Sequence, residues 1–93
     1  YFPAEQPMPA ANPLTEEGVR LGRMLFYEKK LSKDGTISCA SCHQQEKGFS
    51  DGLRVSPGVG GTQGTMNAMA LANLHWQTRF FWNGRAVTLE EQV

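Results

Sequence analysis

Apolar residues recur at helical spacing in only a few short stretches of this chain, and polar, glycine-rich segments separate them. Leu14, Gly18, Leu21, Gly22, Leu25 and Phe26 fall on one helical face, while Arg20, Arg23 and Lys30 fall elsewhere. The pattern predicts a helix starting near Leu14 or Thr15, with Glu16 and Glu17 in its first turn, where acids suit the helix dipole. Gly18 and Gly22 would let a second helix approach that face closely. The pattern also predicts a short helix over 38–45, ended near Gly48, and a further helix over "TMNAMALANL", residues 65–74. Thr88 with Glu91 three positions on forms a capping box for a last helix. Between these lie a turn at Asp34–Gly35, a loop over 50–65 with neither helical nor strand period, and a turn at "NGRAV". Residues 1–13, rich in Pro and Ala, read as an extended arm before one domain over 14–93. No repeat and no strand alternation stands out.

Composition narrows the picture. Ninety-three residues are enough for one small domain. Ten glycines, five prolines and a thin aliphatic supply favour loops over a large core. A cofactor in the interior would help such a chain fold. Nine acidic and nine basic residues cancel and are mixed along the chain, which argues against nucleic acid or an anionic membrane as the main partner. No apolar run is long enough to span a bilayer. The chain begins at Tyr1 and stops as its last helix starts, so it is expected to be a processed or trimmed piece of a longer protein, with a removed export signal compatible with that start.

Chemistry concentrates in "ISCASCHQQEKGFSDG", residues 37–52, which holds both cysteines and one of the two histidines. Four readings compete for Cys39 and Cys42. A disulfide between them would close a tight ring and stabilise little. A thioredoxin-type redox pair needs a βαβ context that is missing. Zinc needs further donors, and His75 is the only other strong one. Covalent haem attachment gives Cys39, Cys42 and His43 of "CASCH" a role each. The two thiols, about one helical turn apart, add to the porphyrin vinyl groups, and His43 is thereby placed to ligate the iron. Haem is the preferred reading, since a flat apolar ring would also complete the thin core and give the long loop something to wrap.

With the motif placed, "LGRMLFYEKKLSKDGTISCASCHQQEKGFSDG", "GTMNAMALANL" and "FFWNGRAVTLEEQV" together resemble the amino-terminal half of bacterial di-haem cytochrome c peroxidases. The resemblance runs from about Leu14 to Val93. It implies a mostly α fold, a cytochrome c-like domain of short helices and long loops around one covalent haem c. It also implies a periplasmic enzyme that reduces hydrogen peroxide to water. Electrons would come from a small cytochrome c or cupredoxin through a second haem domain, and the whole protein could form a homodimer. Residue by residue, the resemblance places Trp82 between the two haems, Gln92 near the peroxide site and Asn67 at a calcium site between domains. The family's catalytic glutamate would lie beyond Val93. Two departures stand out. The place of the family's capping histidine falls on Val59, which cannot ligate iron, and Met69 stands where the family often has proline. The iron is then either open or capped by Met66, Met69 or His75.

Each residue also has a plainer reading. Met66 and Met69 suit core filling, His75 a structural hydrogen bond, and the cluster of Trp76, Phe80, Phe81 and Trp82 ordinary packing. Arg54, Arg79 and above all Arg85 could neutralise haem propionates. Two other functions stay open: a mono-haem electron carrier with Met69 or Met66 as sixth ligand, and a relative that oxidises the side chains of a partner protein.

Overall fold

A computed structural model describes residues 8–93. The first seven residues of the expected arm lie outside the described residues. Residues 8–13 are exposed and non-helical, and Asn12 Nδ2 donates to Glu90 Oε1 at 2.8 Å across the chain. The architecture is mostly α, made of short helices, single 3-10 turns and long loops. Among the described residues strand pairing is limited to three isolated antiparallel bridges.

Helix α1 spans Glu16–Tyr27. Thr15 caps it, its extended backbone presenting Oγ1 to the Gly18 amide at 3.0 Å, and this satisfies one of the donors that a helix start leaves unpaired. The predicted boundary is thus met within a residue. The predicted close approach is not. No residue of α1 is fully buried, and nothing lies within 4 Å of where a Cβ on Gly22 would stand. At Gly18 the nearest such atom is the helix's own cap, Thr15 Oγ1. Leu14, Met24 and Leu31 are each about two-thirds exposed.

After α1 the chain makes a 3-10 turn over Lys29–Leu31 and then the expected turn, where Asp34 Oδ1 accepts from the Thr36 amide at 3.0 Å and hydroxyl at 2.6 Å. Gly35, at φ 70°, supplies the left-handed residue. Helix α2 is shorter than expected, Cys39–Cys42, and only a 3-10 turn over Gln45–Lys47 follows it. The loop over 50–65 is irregular as expected. It is folded by its own backbone bonds, Gly58 N to Thr62 O at 2.6 Å, Gly64 N to Ser56 O at 2.9 Å and Ser56 N to Met66 O at 3.3 Å.

The helix expected over 65–74 does not form. Its carbonyls serve tertiary partners instead: Met66 O accepts from Ser56 N, and Asn67 O accepts from Trp82 Nε1 at 3.2 Å. Asn73 turns left-handed at φ 56°, and only Leu74–Trp76 coil, as a 3-10 turn. Helix α3, Leu89–Gln92, is capped by Thr88 Oγ1, which accepts from the Glu91 amide at 3.1 Å. The Glu91 carboxylate reaches back one residue further than a capping box requires, to the Val87 amide at 2.8 Å.

The fully buried apolar core of the described residues is two side chains, Phe80 and Ala86, joined by the bond from Phe80 N to Ala86 O. So small a core leaves the middle of the fold to something else.

Candidate functional site

Ser38 starts α2, its amide donating to Ser41 Oγ at 3.0 Å, and the His43 amide closes the turn on Cys39 O at 3.0 Å. This one turn sets both cysteine side chains on the same side of the helix. Both are free thiols, Cys39 exposed and Cys42 partly covered. Burial pushes the Cys42 thiol up, and the nearby Asp51 charge adds to the effect. The Cys42 thiol points to the Pro57 carbonyl at 3.9 Å, a weak contact that ties α2 to the glycine-rich loop.

His43 follows at the helix end. Its Nδ1 lies 2.9 Å from the carbonyl oxygen of Phe49. A carbonyl only accepts, so Nδ1 carries the proton and Nε2 keeps a free lone pair. Such a bond fixes the orientation and tautomer of a ring that is to serve as a ligand. The chain arranges this by curling back at once: Phe49 N donates to Gln44 O at 2.8 Å, and Gln44 N donates to Ser50 O at 3.1 Å. Gly48 at φ 65° and Phe49 at φ 60° make the reversal. The ring of Phe26 meets Phe49 edge-on at 6.3 Å between centroids, and this contact from α1 holds the strained residue.

His43 lines a cavity of about 370 Å³ in which residues far apart in the sequence meet. Asn67, Met69, Trp82, Arg85 and Gln92 border it, and so does Met66. Its size is in the range of small-molecule and cofactor sites, roughly 300–1,000 Å³. Trp82 is 58% exposed and is anchored by its bond to Asn67 O. The Arg85 guanidinium lies 3.4 Å over the Phe81 ring, a cation–π contact within the same border. The aromatic cluster expected from sequence is therefore divided: Phe80 is core, Phe81 supports Arg85, and Trp82 faces outward.

Other expected residues lie elsewhere. His75 borders an adjoining cavity, with Asn12 and Glu90, and meets Trp76 edge-on at 5.4 Å. Val59, Arg54 and Arg79 do not border the His43 cavity. Among the described residues no three His, Cys, Asp or Glu side chains gather as a metal-ion site, and His75 is not brought to the cysteines as zinc would need. Sequence reasoning missed the Phe49 carbonyl, which no side-chain pattern signals. It also missed buried Asp51, which reads as a turn residue before Gly52.

The donor set fits a covalently held haem: two free thiols one turn apart, an imidazole with its Nε2 lone pair available, and a hollow interior beside it. Among the described residues no helix is long and apolar enough to cross a membrane.

Residues 16–93 match the family model of the di-haem cytochrome c peroxidases. The methylamine utilization protein MauG of Methylorubrum extorquens is 46% identical over 91 residues, which is 98% of this chain and 26% of that protein. Cytochrome c peroxidase Ccp of Escherichia coli is 44% identical over 88 residues, 95% of this chain and 19% of that one. A solved structure, of a MauG-like protein associated with microbial copper homeostasis, superposes with a TM-score of 0.87 at 45% identity, covering 98% of this chain and 27% of that chain. The chain thus spans about a quarter or less of the length of these relatives.

Proposed function

The chain belongs to the di-haem cytochrome c peroxidase family, and on that premise we propose that it is the amino-terminal, peroxide-reducing half of a periplasmic two-haem enzyme. Its haem domain is residues 14–93, preceded by an arm over 1–13. Cys39 and Cys42 would hold a haem c through thioethers, and His43 would ligate its iron through Nε2. The haem supplies the redox-active iron at which hydrogen peroxide takes up two electrons and two protons to give two waters. The observation that carries this reading is the bond from His43 Nδ1 to the Phe49 carbonyl, which prepares the other ring nitrogen as a ligand beside the cavity.

The remaining residues take roles that the cavity supports. Gln92 borders it, and its amide offers both a donor and an acceptor to orient peroxide. Arg85 neutralises a haem propionate while stacked on Phe81. Trp82, exposed and anchored at Nε1, offers an aromatic path for electrons from a second haem domain, which a small cytochrome c or cupredoxin supplies. The Asn67 side chain contributes to a calcium site, since its main-chain carbonyl is already engaged by Trp82. Two copies of the whole protein associate as a homodimer.

Intact mass together with a pyridine haemochrome spectrum tests the reading. One tetrapyrrole per Cys39–Cys42 pair is expected, with a high-spin ferric spectrum and rapid carbon monoxide binding after reduction. Free thiols and a colourless protein would overturn it. One observation favours a second reading: Met66 and Met69 share the cavity with His43. If either caps the iron, the domain is a mono-haem electron carrier with a low-spin ferric spectrum, and Met69→Ala or Met66→Ala would convert it to high-spin.

A further inference from the structure

Aromatic rings gather where the end of α1 meets the turn behind His43. Tyr27, the last residue of α1, is 51% exposed and meets Phe26 edge-on at 5.2 Å between ring centroids. Phe26 is half-buried and meets Phe49 edge-on at 6.3 Å. Both separations lie within the range of contacting aromatic pairs, roughly 4.5–7 Å. The main-chain carbonyl of Phe49 then accepts from His43 Nδ1 at 2.9 Å. Three rings and one peptide carbonyl therefore join the protein surface to the imidazole without a gap. The same rings border a cavity of about 350 Å³ together with Arg23, Gln45 and Leu71. Leu71 also borders the cavity that His43 lines, so the two hollows share a wall. Packing accounts for Phe26, which holds the strained Phe49. It accounts less well for Tyr27, whose ring is half in solvent and buries little.

We propose that Tyr27, Phe26 and Phe49 form an electron relay from the surface to His43, with Tyr27 as the residue that is oxidised. The proposal rests on the haem reading given above, because the relay serves the haem that His43 would ligate. Contacting π-systems pass an electron in short steps, whereas a saturated side chain in the same place would leave a gap. When the redox-protein donor is absent, hydrogen peroxide still needs two electrons and two protons to give two waters. Tyr27 supplies one electron and the haem the other, and solvent supplies both protons. Only the phenol O–H bond of Tyr27 breaks. Its proton goes to the water around the exposed ring, and a neutral phenoxyl radical remains. A small one-electron reductant of the phenol or enediol class, reaching the ring through the open cavity beside it, returns Tyr27 to the phenol. The relay thus draws oxidising equivalents away from the haem site and discharges them at the surface.

Freeze-quench electron paramagnetic resonance tests the relay. The haem-loaded protein is mixed with hydrogen peroxide in the absence of any donor. An organic radical signal is expected whose splitting narrows when the protein carries ring-deuterated tyrosine. Tyr27→Phe should lose that signal. Phe26→Leu, which keeps apolar bulk and removes one ring, should leave less than half of its amplitude. The ferric absorption spectrum of both variants should match that of the wild-type protein. A tyrosyl signal that persists in Tyr27→Phe overturns the proposal, and so does full amplitude in Phe26→Leu. Should Phe26→Leu fail to fold, the comparison of wild-type with Tyr27→Phe still decides whether Tyr27 is the residue oxidised. A wild-type protein that carries haem and consumes peroxide without forming a tyrosyl radical overturns this inference alone. A wild-type protein without haem would overturn the reading beneath it as well.

Discussion

Phe49 sits at φ 60°, a left-handed conformation that costs a residue with a Cβ roughly 1–2 kcal/mol. The strain aims its carbonyl at His43 Nδ1, so the tautomer of His43 is set by the backbone of a residue six positions on. The Phe26 ring offsets part of that cost by packing against Phe49. Two substitutions separate these effects. Phe49→Ala loses the ring contact and keeps the strain, whereas Phe49→Gly loses the contact and relieves the strain. The glycine variant is expected to be more stable than the alanine variant by about 1 kcal/mol in urea unfolding of the haem-loaded protein. Equal stability of the two would show that the backbone there is unstrained. Nothing in "GFSDG" as a string announces this, because the strain and the bond belong to the backbone.

Among the elements, those legible in sequence were the ones with a local cause. Thr15 caps α1 and Thr88 caps α3 through side chains within three residues of their targets. The helix expected over 65–74 failed because Met66 and Asn67 give their carbonyls to Ser56 and Trp82, contacts of ten and fifteen residues' separation. The arm is joined to α3 by a similar long-range contact, between Asn12 and Glu90. The Asn12 amide holds the Glu90 carboxyl below the usual glutamate range. A carboxyl whose folded pKa is depressed contributes stability fully above its unfolded pKa, about 4.3, and loses it as pH falls through the folded value. Carboxyl titration by NMR should therefore show Glu90 moving up toward its ordinary value in Asn12→Ala. Amide protection over 8–13 should fall in the wild-type protein below about pH 4.3, and should be low in the variant at every pH. A Glu90 titration unchanged in the variant would rule out the contact.

On the scale of the whole molecule, the described residues bury Phe80 and Ala86 as their entire fully buried apolar core and leave Leu14, Val19, Leu21, Met24 and Leu31 exposed. A domain with so small an apolar core of its own is expected to need a cofactor to fold. Cys39→Ala/Cys42→Ala, which removes both proposed tethers, is expected to abolish cooperative unfolding, flatten the near-ultraviolet circular dichroism and bind a hydrophobic dye. A sharp unfolding transition in that variant would show that the polypeptide folds without its cofactor. By itself the sequence determined the CASCH motif, the start of α1, the α3 cap, the loop over 50–65 and the family, since each rests on residues close in the chain or on ordered blocks of it. Only the tertiary structure decided that His43, Asn67, Met69, Trp82, Arg85 and Gln92 border one cavity, that His75 borders an adjoining one, and that Asp51 is buried. The physical reason is that spacing encodes a neighbour one turn away, whereas a cavity is bordered by segments whose meeting depends on where every backbone hydrogen bond in between has gone.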